Sequence, residues 1–310
     1  MILPSIAMNL SSSEMHAEFL DIWNLKKAAP FDEAAFFDLE KYLTESFSTA
    51  NSDAWQLMPK HMFLLREATT CLLLFTKFIG EPKMNTQSAA FLSQAHRSVN
   101  CLIAIRLLLA NGLEETCRPT TRNYLEALDV SIACLIDQEF SLQLFGDDQI
   151  DFDALWNRSI GYGKVYKYLR TACQIAGLSE RETEEHIQHR KALKTNLSSS
   201  VHGDASGAFR SMVPPLLGYP DMVSTEPHGV ISIHTANHAA AVINETLKYL
   251  SLVLKILLSE KAPRAFDLQR KGKNAHTFFA HFFAFQEIYH RHDLPDGDEI
   301  RPPDCSAAQG

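Results

Sequence analysis

Apolar residues return every three or four positions along most of this chain, and that period restricts it to packed helices. From Trp55 the run passes through Met58, Met62, Leu65, Leu72 and Phe75. Over residues 87–111 it passes through Phe91, Leu92, Val99, Leu102, Ile105 and Leu109, again one helix face. Gly112 supplies a stop for the second helix. Pro119 suits the first turn of a third, continuing through Leu125, Leu128, Ile132 and Leu135 to about Phe145, where Gly146 ends it. Shorter patterns cover 151–158 and 163–176, Ser179 with Glu182 makes a capping box for a helix over 180–194, and long runs over 236–260 and 275–291 complete the set. Apart from a short extended piece around Val230–Ile233, no alternation of apolar and polar residues competes as a strand, and no fixed repeat points to a solenoid. The expected fold is all-α, eight or more helices in an irregular or up-down multi-helix bundle.

Glycine and proline break this pattern mainly between Gly203 and Gly229, where Gly207, Pro214, Pro215, Gly218, Pro220 and Pro227 predict one long Gly/Pro-rich loop. A second break, KAPRAFDLQRKGK at 261–273, joins the bundle to a last helix. The tail from Asp293 is acidic and proline-rich and is expected to be disordered. The expected division is an N-terminal helical segment over 1–50, a main bundle over 51–260, a connector and aromatic helix over 261–292, and a tail over 293–310.

Composition removes several classes of function. With 29 basic against 37 acidic residues, the net charge of -8 repels phosphate backbones at long range and disfavours nucleic acid as a partner. The six cysteines contain no Cys-x-x-Cys pair, so neither a zinc knuckle nor a disulfide framework is expected. They read as small hydrophobes of a reducing, cytoplasmic protein. The start, MILPSIAMNLSSSEM, lacks the basic region of a signal peptide. The most apolar stretches, 71–80 and 250–258, are interrupted by lysine and fall short of the roughly 18 residues a membrane span needs.

The segment RPTTRNYLEALDVSIACLID, residues 118–137, is the most informative. Arg118, Arg122, Glu126 and Asp129, spaced four, four and three, share a narrow arc, while Leu125, Leu128, Ile132 and Leu135 flank it on one side and Ala127, Val130 and Cys134 on the other. A helix with so little wet face must satisfy its charges internally. Two arginines near a helix N-terminus, where the macrodipole is already positive, call for an anion. Glu126 and Asp129 answer in part, and a bound carboxylate or phosphate supplies the rest. Replacing Arg122 with Ala is expected to lower thermal stability substantially, because it leaves Glu126 unpaired in a dry environment. The alternative is a salt-bridge network that only orders the bundle.

The helix RNYLE at 122–126, followed by the Ser-rich SSSVHG at 198–203, resembles an uncharacterised family of all-helical bacterial proteins known as a domain of unknown function. That family is distantly similar to the HEPN superfamily of helical nucleotide-binding proteins, which includes ribonucleases with an Arg-x(4–6)-His motif. The resemblance covers about residues 90–210. It implies a helical bundle in which the two elements approach each other, and no established activity. Two matches to the ribonuclease motif occur, Arg181 with His186 and Arg270 with His276, a number that chance alone supplies. The first lies among Glu182, Glu184 and Glu185, which repel RNA. The second has basic neighbours but falls in the connector.

In TNLSSSVHGDASGAF, residues 195–209, His202 and Asp204 are the candidate acid and base, and Ser198, Ser199 or Ser200 is the donor to an anion; a helix C-terminus capped by Gly203 is the plainer reading. His234, His238 and Glu245 have metal-ligand spacing, but their helix reads as amphipathic, with Val242, Leu247, Leu250, Leu254 and Leu257 on its core side and these three facing solvent. GYGK at 161–164 lacks the spacing of a phosphate loop. The Phe-rich segment 276–290 either docks on the bundle or makes a homodimer contact. The expected site is a polar, anion-accepting pocket. Arg118, Arg122, Glu126, Asp129, Ser199 and Ser200 bind there, with His202 and Asp204 catalytic if it is an enzyme and no metal or cofactor. A small anionic ligand or nucleotide is the expected partner. The leading reading is a ligand-binding or regulatory protein, and the alternatives are a metal-independent HEPN-like ribonuclease or a purely structural network.

Overall fold

Ten α-helices and no strand form among the residues that the structure, a computed structural model, describes: 39–79, 84–145, 151–201, 231, 233–260, 266 and 273–292. They are α1 (Leu39–Leu57), α2 (Pro59–Ile79), α3 (Thr86–Ala110), α4 (Glu114–Ile136), α5 (Gln138–Phe145), α6 (Phe152–Leu155), α7 (Tyr166–Ile175), α8 (Glu180–Val201), α9 (Ile233–Leu258) and α10 (Lys273–Arg291). The chain divides into compact units of residues 1–45 and 46–310. The expected long loop and acidic tail lie outside the described residues, as do His202 and Asp204.

Local signals set the helix ends. The side chain of Asn85 caps α3 by accepting from the Ser88 N–H at 2.9 Å, while Ser88 Oγ accepts from the Asn85 N–H at 2.9 Å. Gly112 follows α3 with φ of 66°, a left-handed value that suits glycine. α4 starts at Glu114, earlier than its proline suggested, so Pro119 sits inside the helix and forfeits one intrahelical hydrogen bond. This places Glu114 and Glu115 in the first turn, where the macrodipole favours acids. α4 also stops short of Phe145. Asp137 leaves the helix with extended backbone and its side chain accepts from the Phe140 N–H at 2.9 Å, starting α5. The C-terminal end of α4 is closed from α3, where Gln87 Nε2 donates to the carbonyls of Cys134 and Leu135, both at 3.0 Å.

α4 is the hub. It packs against α3, α5, α7, α8 and α9, and every residue from Ala127 to Leu135 is buried. Its polar groups are paired across these contacts: Tyr124 Oη with Thr246 Oγ1 of α9 at 2.7 Å, and Ser131 Oγ to Tyr249 Oη at 2.9 Å. α9 departs from expectation. It is buried on nearly all sides, with Thr235, His238 and Glu245 in the interior beside Val242, Tyr249 and Val253, because α2, α4 and α7 enclose it.

The aromatic helix α10 docks on α2. Phe278 stacks on Phe78 at 5.4 Å between centroids, lies 5.5 Å from Phe75, and is fully buried with Phe282 and Phe285 beside it. Four of the five described cysteines are buried in the helices, as small hydrophobes are. None of the helices among the described residues is long and apolar enough to cross a membrane. Docking of α10 through one ring predicts that Phe278→Ala lowers unfolding free energy by about 3–5 kcal/mol in urea denaturation. Phe283→Ala, at a ring 60% exposed, should stay within about 0.5 kcal/mol.

Candidate functional site

The inward face of α8 repeats at Thr183, Ile187, Arg190 and Leu197, so a guanidinium occupies a core position. Arg190 is 0% exposed. Its Nη2 lies 2.8 Å from Glu245 Oε2 of α9, and its Nη1 lies 3.7 Å from Asp129 Oδ1 of α4. None of its nitrogens is aligned for a hydrogen bond, so the contact acts through charge. Lys194 Nζ donates to Asp129 Oδ2 at 2.6 Å, and His189 Nε2 reaches Glu245 Oε1 at 3.0 Å. Burial alone would raise the Glu245 carboxyl, but the Arg190 charge and the His189 contact outweigh it and hold it at about 2. His186, on the same helix, is pushed down to about 4 by burial and by Arg190.

Nearer solvent, Arg122 and Glu126 of α4 pair at 3.2 Å, with side chains 33% and 21% exposed. Arg122 Nη1 also donates to Ser198 Oγ of α8. Arg118 is buried and donates through Nη2 to the Asn196 carbonyl at 2.7 Å and to Asn196 Oδ1 at 2.9 Å, with Glu114 and Glu115 within 4 Å. Carboxylates of its own first turn and a carbonyl near the end of α8 therefore answer Arg118.

Opposite these charges, α6 widens into a π-helical turn over Trp156–Ile160, in which the Gly161 N–H donates to the Trp156 carbonyl at 2.7 Å. A Cβ on Gly161 would stand 3.0 Å from Trp156 Nε1, so glycine lets the indole close against the turn. Gly161, Tyr162 and Gly163 then lead into α7. Between this turn and the charged helices lies a cavity of about 400 Å³. Arg122, Glu126 and Asp129 line it from α4, Lys191, Lys194 and Ser198 from α8, and Trp156, Tyr162 and Tyr166 from the turn and α7. The Tyr166 ring carries Lys191 Nζ at 5.3 Å and Lys194 Nζ at 5.7 Å from its centroid. Burial, reinforced by Asp129, raises its hydroxyl to about 12, so it is a neutral donor at neutral pH.

A second polar cluster joins α4 to α9. Thr121 Oγ1 donates to the Cys117 carbonyl at 3.0 Å, so His238 Nε2 is the donor in its 2.7 Å contact with Thr121 Oγ1. His238 Nδ1 lies 3.8 Å from Glu114 Oε1. Burial disfavours the imidazolium, but the Cys117 sulfur and the Glu114 carboxylate reverse this and raise His238 to about 9.

Of the expected residues, Arg122, Glu126 and Asp129 meet at the cavity, and Arg118 lies one turn away on α4. Ser199 and Ser200 fall in the last turn of α8, which extends beyond residue 194; their side chains lie outside the described residues, and Ser198 is the serine at Arg122. His238 and Glu245 do not face solvent as expected; they are buried and belong to two separate clusters, paired with Glu114 and Arg190. No group of three or more metal-ligating side chains forms among the described residues. Arg190, Lys191, Lys194 and the Trp156–Tyr166 wall were absent from the expected site. Arg190 is detectable only by its phase with Ile187 and Leu197, and Glu245 by its phase with Val242 and Tyr249. Searches of family models, curated proteins and solved structures return no match.

Two outcomes follow from these charges. Arg190→Met removes the guanidinium shared by two buried carboxylates and should cost about 3–5 kcal/mol in denaturant unfolding. Arg122→Ala, at a partly exposed pair, should cost about 1 kcal/mol or less, not the large loss that a dry stripe implied. Stability should also fall at both ends of the pH range in thermal melts. The depressed Glu245 contributes fully above its unfolded value of 4.5 and loses that contribution as pH falls toward 2. The raised His238 contributes fully below 6.5 and loses it as pH rises through about 9.

Proposed function

We propose that the cavity between α4, α8 and the Trp156–Tyr166 turn binds a small anionic ligand, and that the protein is a ligand-binding or regulatory module. The observation that carries this reading is the local excess of positive charge. Three basic side chains, Arg122, Lys191 and Lys194, line the cavity against two acidic ones, Glu126 and Asp129, in a chain of net charge -8. Asp129 is further neutralised from behind by Arg190. An anion entering the cavity therefore meets cations whose own partners are shared or partly solvated, which makes charge-assisted hydrogen bonds favourable. Arg122, with a planar guanidinium at the partly exposed edge, is the anchoring residue, and Ser198 orients it. The volume of about 400 Å³ is in the range of small-molecule sites.

A HEPN-like ribonuclease is the weaker reading. Arg181 is largely exposed and bound to Glu185 at 2.8 Å, while His186 turns a buried Nε2 inward, so the two present no joint acid/base face to a phosphodiester. Of the second match, Arg270 lies outside the described residues and His276 is exposed.

Differential scanning calorimetry with phosphate, citrate or AMP at millimolar concentration tests the binding reading. At least one anion should raise the melting temperature, by an amount equivalent to about 2.7 kcal/mol when the ligand is at a hundred times its Kd. Arg122→Gln should abolish most of that rise and leave the unliganded melting temperature within a few degrees. If none of the anions shifts the wild-type melt, the network is structural only.

A further inference from the structure

We propose that the ligand is a planar aromatic ring bearing an anionic group, and that Tyr162 closes over the ring as a lid. This rests on the anion-binding reading and specifies it. The cavity has two unlike walls. Charges come from α4 and α8, whereas the opposite wall is Trp156 and Tyr166 with the aliphatic side chains of Ile160 and Val165 between them. A ligand that satisfies both walls has a flat apolar face and a negative end. Aromatic residues alone also suit a cationic headgroup, but here the Tyr166 face already holds two lysine ammonium groups and Asp129 is already paired with Lys194 and Arg190. A cation would meet positive charge on the side where it needs an acid.

Tyr162 supplies the third face. It lines the cavity lip, its ring is 91% exposed, and its φ of 54° is the one positive value at a non-glycine position among the described residues. The tight turn closed from Lys164 to Gly161 demands left-handed angles at both Tyr162 and Gly163, and it holds an aromatic ring out in water at the lip of the cavity, an unfavourable place for its apolar face. The backbone on either side is held, since the Lys164 N–H donates to the Gly161 carbonyl at 3.0 Å and the Tyr166 N–H to the Gly163 carbonyl at 3.1 Å, so the freedom lies in the Tyr162 side chain. Gly163 has φ of 81°, and Gly161 has its Cβ space filled by Trp156. Rotation of the Tyr162 side chain, with its ring laid on a bound ligand, would cover apolar area that the free protein leaves exposed. The expected complex stacks the ring between Tyr162 and Trp156, with the anion on Arg122 and Lys191.

Isothermal titration calorimetry of the full chain tests this with two matched pairs, AMP against ribose 5-phosphate and indole-3-acetate against acetate. In at least one pair the ring-bearing member should bind about tenfold tighter or more, the gain that stacking of one ring supplies. In Tyr162→Ala that gap should shrink to within about twofold, with the affinity of the ringless partner unchanged, and Tyr162→Phe should keep the gap. The exposure of Tyr162 makes both variants foldable, which a thermal melt verifies. Equal binding of ring-bearing and ringless anions, or a gap that survives Tyr162→Ala, overturns the lid and leaves the anion site standing. Absence of binding by all four compounds overturns both.

Discussion

The buried guanidinium of Arg190 is the interaction on which the arrangement of this bundle depends. It stands where a core residue of α8 belongs and draws together a carboxylate from α4, Asp129, and one from α9, Glu245. Hydrophobic packing would hold three helices together in many registers, since apolar surfaces slide at little cost. A charge removed from water does not have that freedom, because each shift along the helix axis strands a carboxylate in the interior. The register of α8 against α4 is thereby fixed. With it the positions of Lys191, Lys194 and Ser198, within two turns of Arg190 on α8, are fixed over the cavity.

The same network explains why the cavity is positive. Asp129 faces both ways, toward Arg190 in the core and toward Lys194 at the lining, so its single negative charge is divided between two cations. The interior pair and the surface pocket are electrostatically one system. His186 on the same helix is held neutral first by its burial and then by the Arg190 charge. The second wall has a different origin. The π-helical turn at Trp156–Ile160 inserts one residue relative to an α-helix and sets the indole against the Gly161 backbone. Charged helices and an aromatic turn reach the cavity from separate parts of the chain.

Much of the helical architecture was legible in the spacing of apolar residues, and the hub character of α4 followed from its lack of a wet face. What the spacing misjudged has identifiable physical causes. Pro119 suggests a helix start, yet the chain tolerates it a turn and a half inside α4 because acids at Glu114 and Glu115 suit the earlier beginning. The polarity of His238 and Glu245 on α9 points to solvent, yet both are buried. Glu245 is interior because Arg190, 55 positions earlier, meets it, and no local pattern encodes that partnership. The stripe on α4 was correctly grouped, but its members differ in depth, from buried Asp129 to Arg122 at the rim, since burial depends on neighbouring helices rather than on the helix itself. The aromatic wall escaped notice because Trp156 and Tyr166 lie ten positions apart and meet only through a turn geometry that leaves no sequence period.

The three-residue turn between α3 and α4 bears on the order in which these parts come together. Helices so closely joined meet with little loop entropy to overcome, and Gln87 seals their far end, so this hairpin is the natural first piece of tertiary structure. Asp129 is then already in place on a partly built surface, solvated, while Arg190 is still 61 residues further along the chain. During synthesis the growing polypeptide thus carries a hydrated acid on its helical nucleus until α8 emerges. The final drying of that acid marks the moment at which the cavity acquires its last wall.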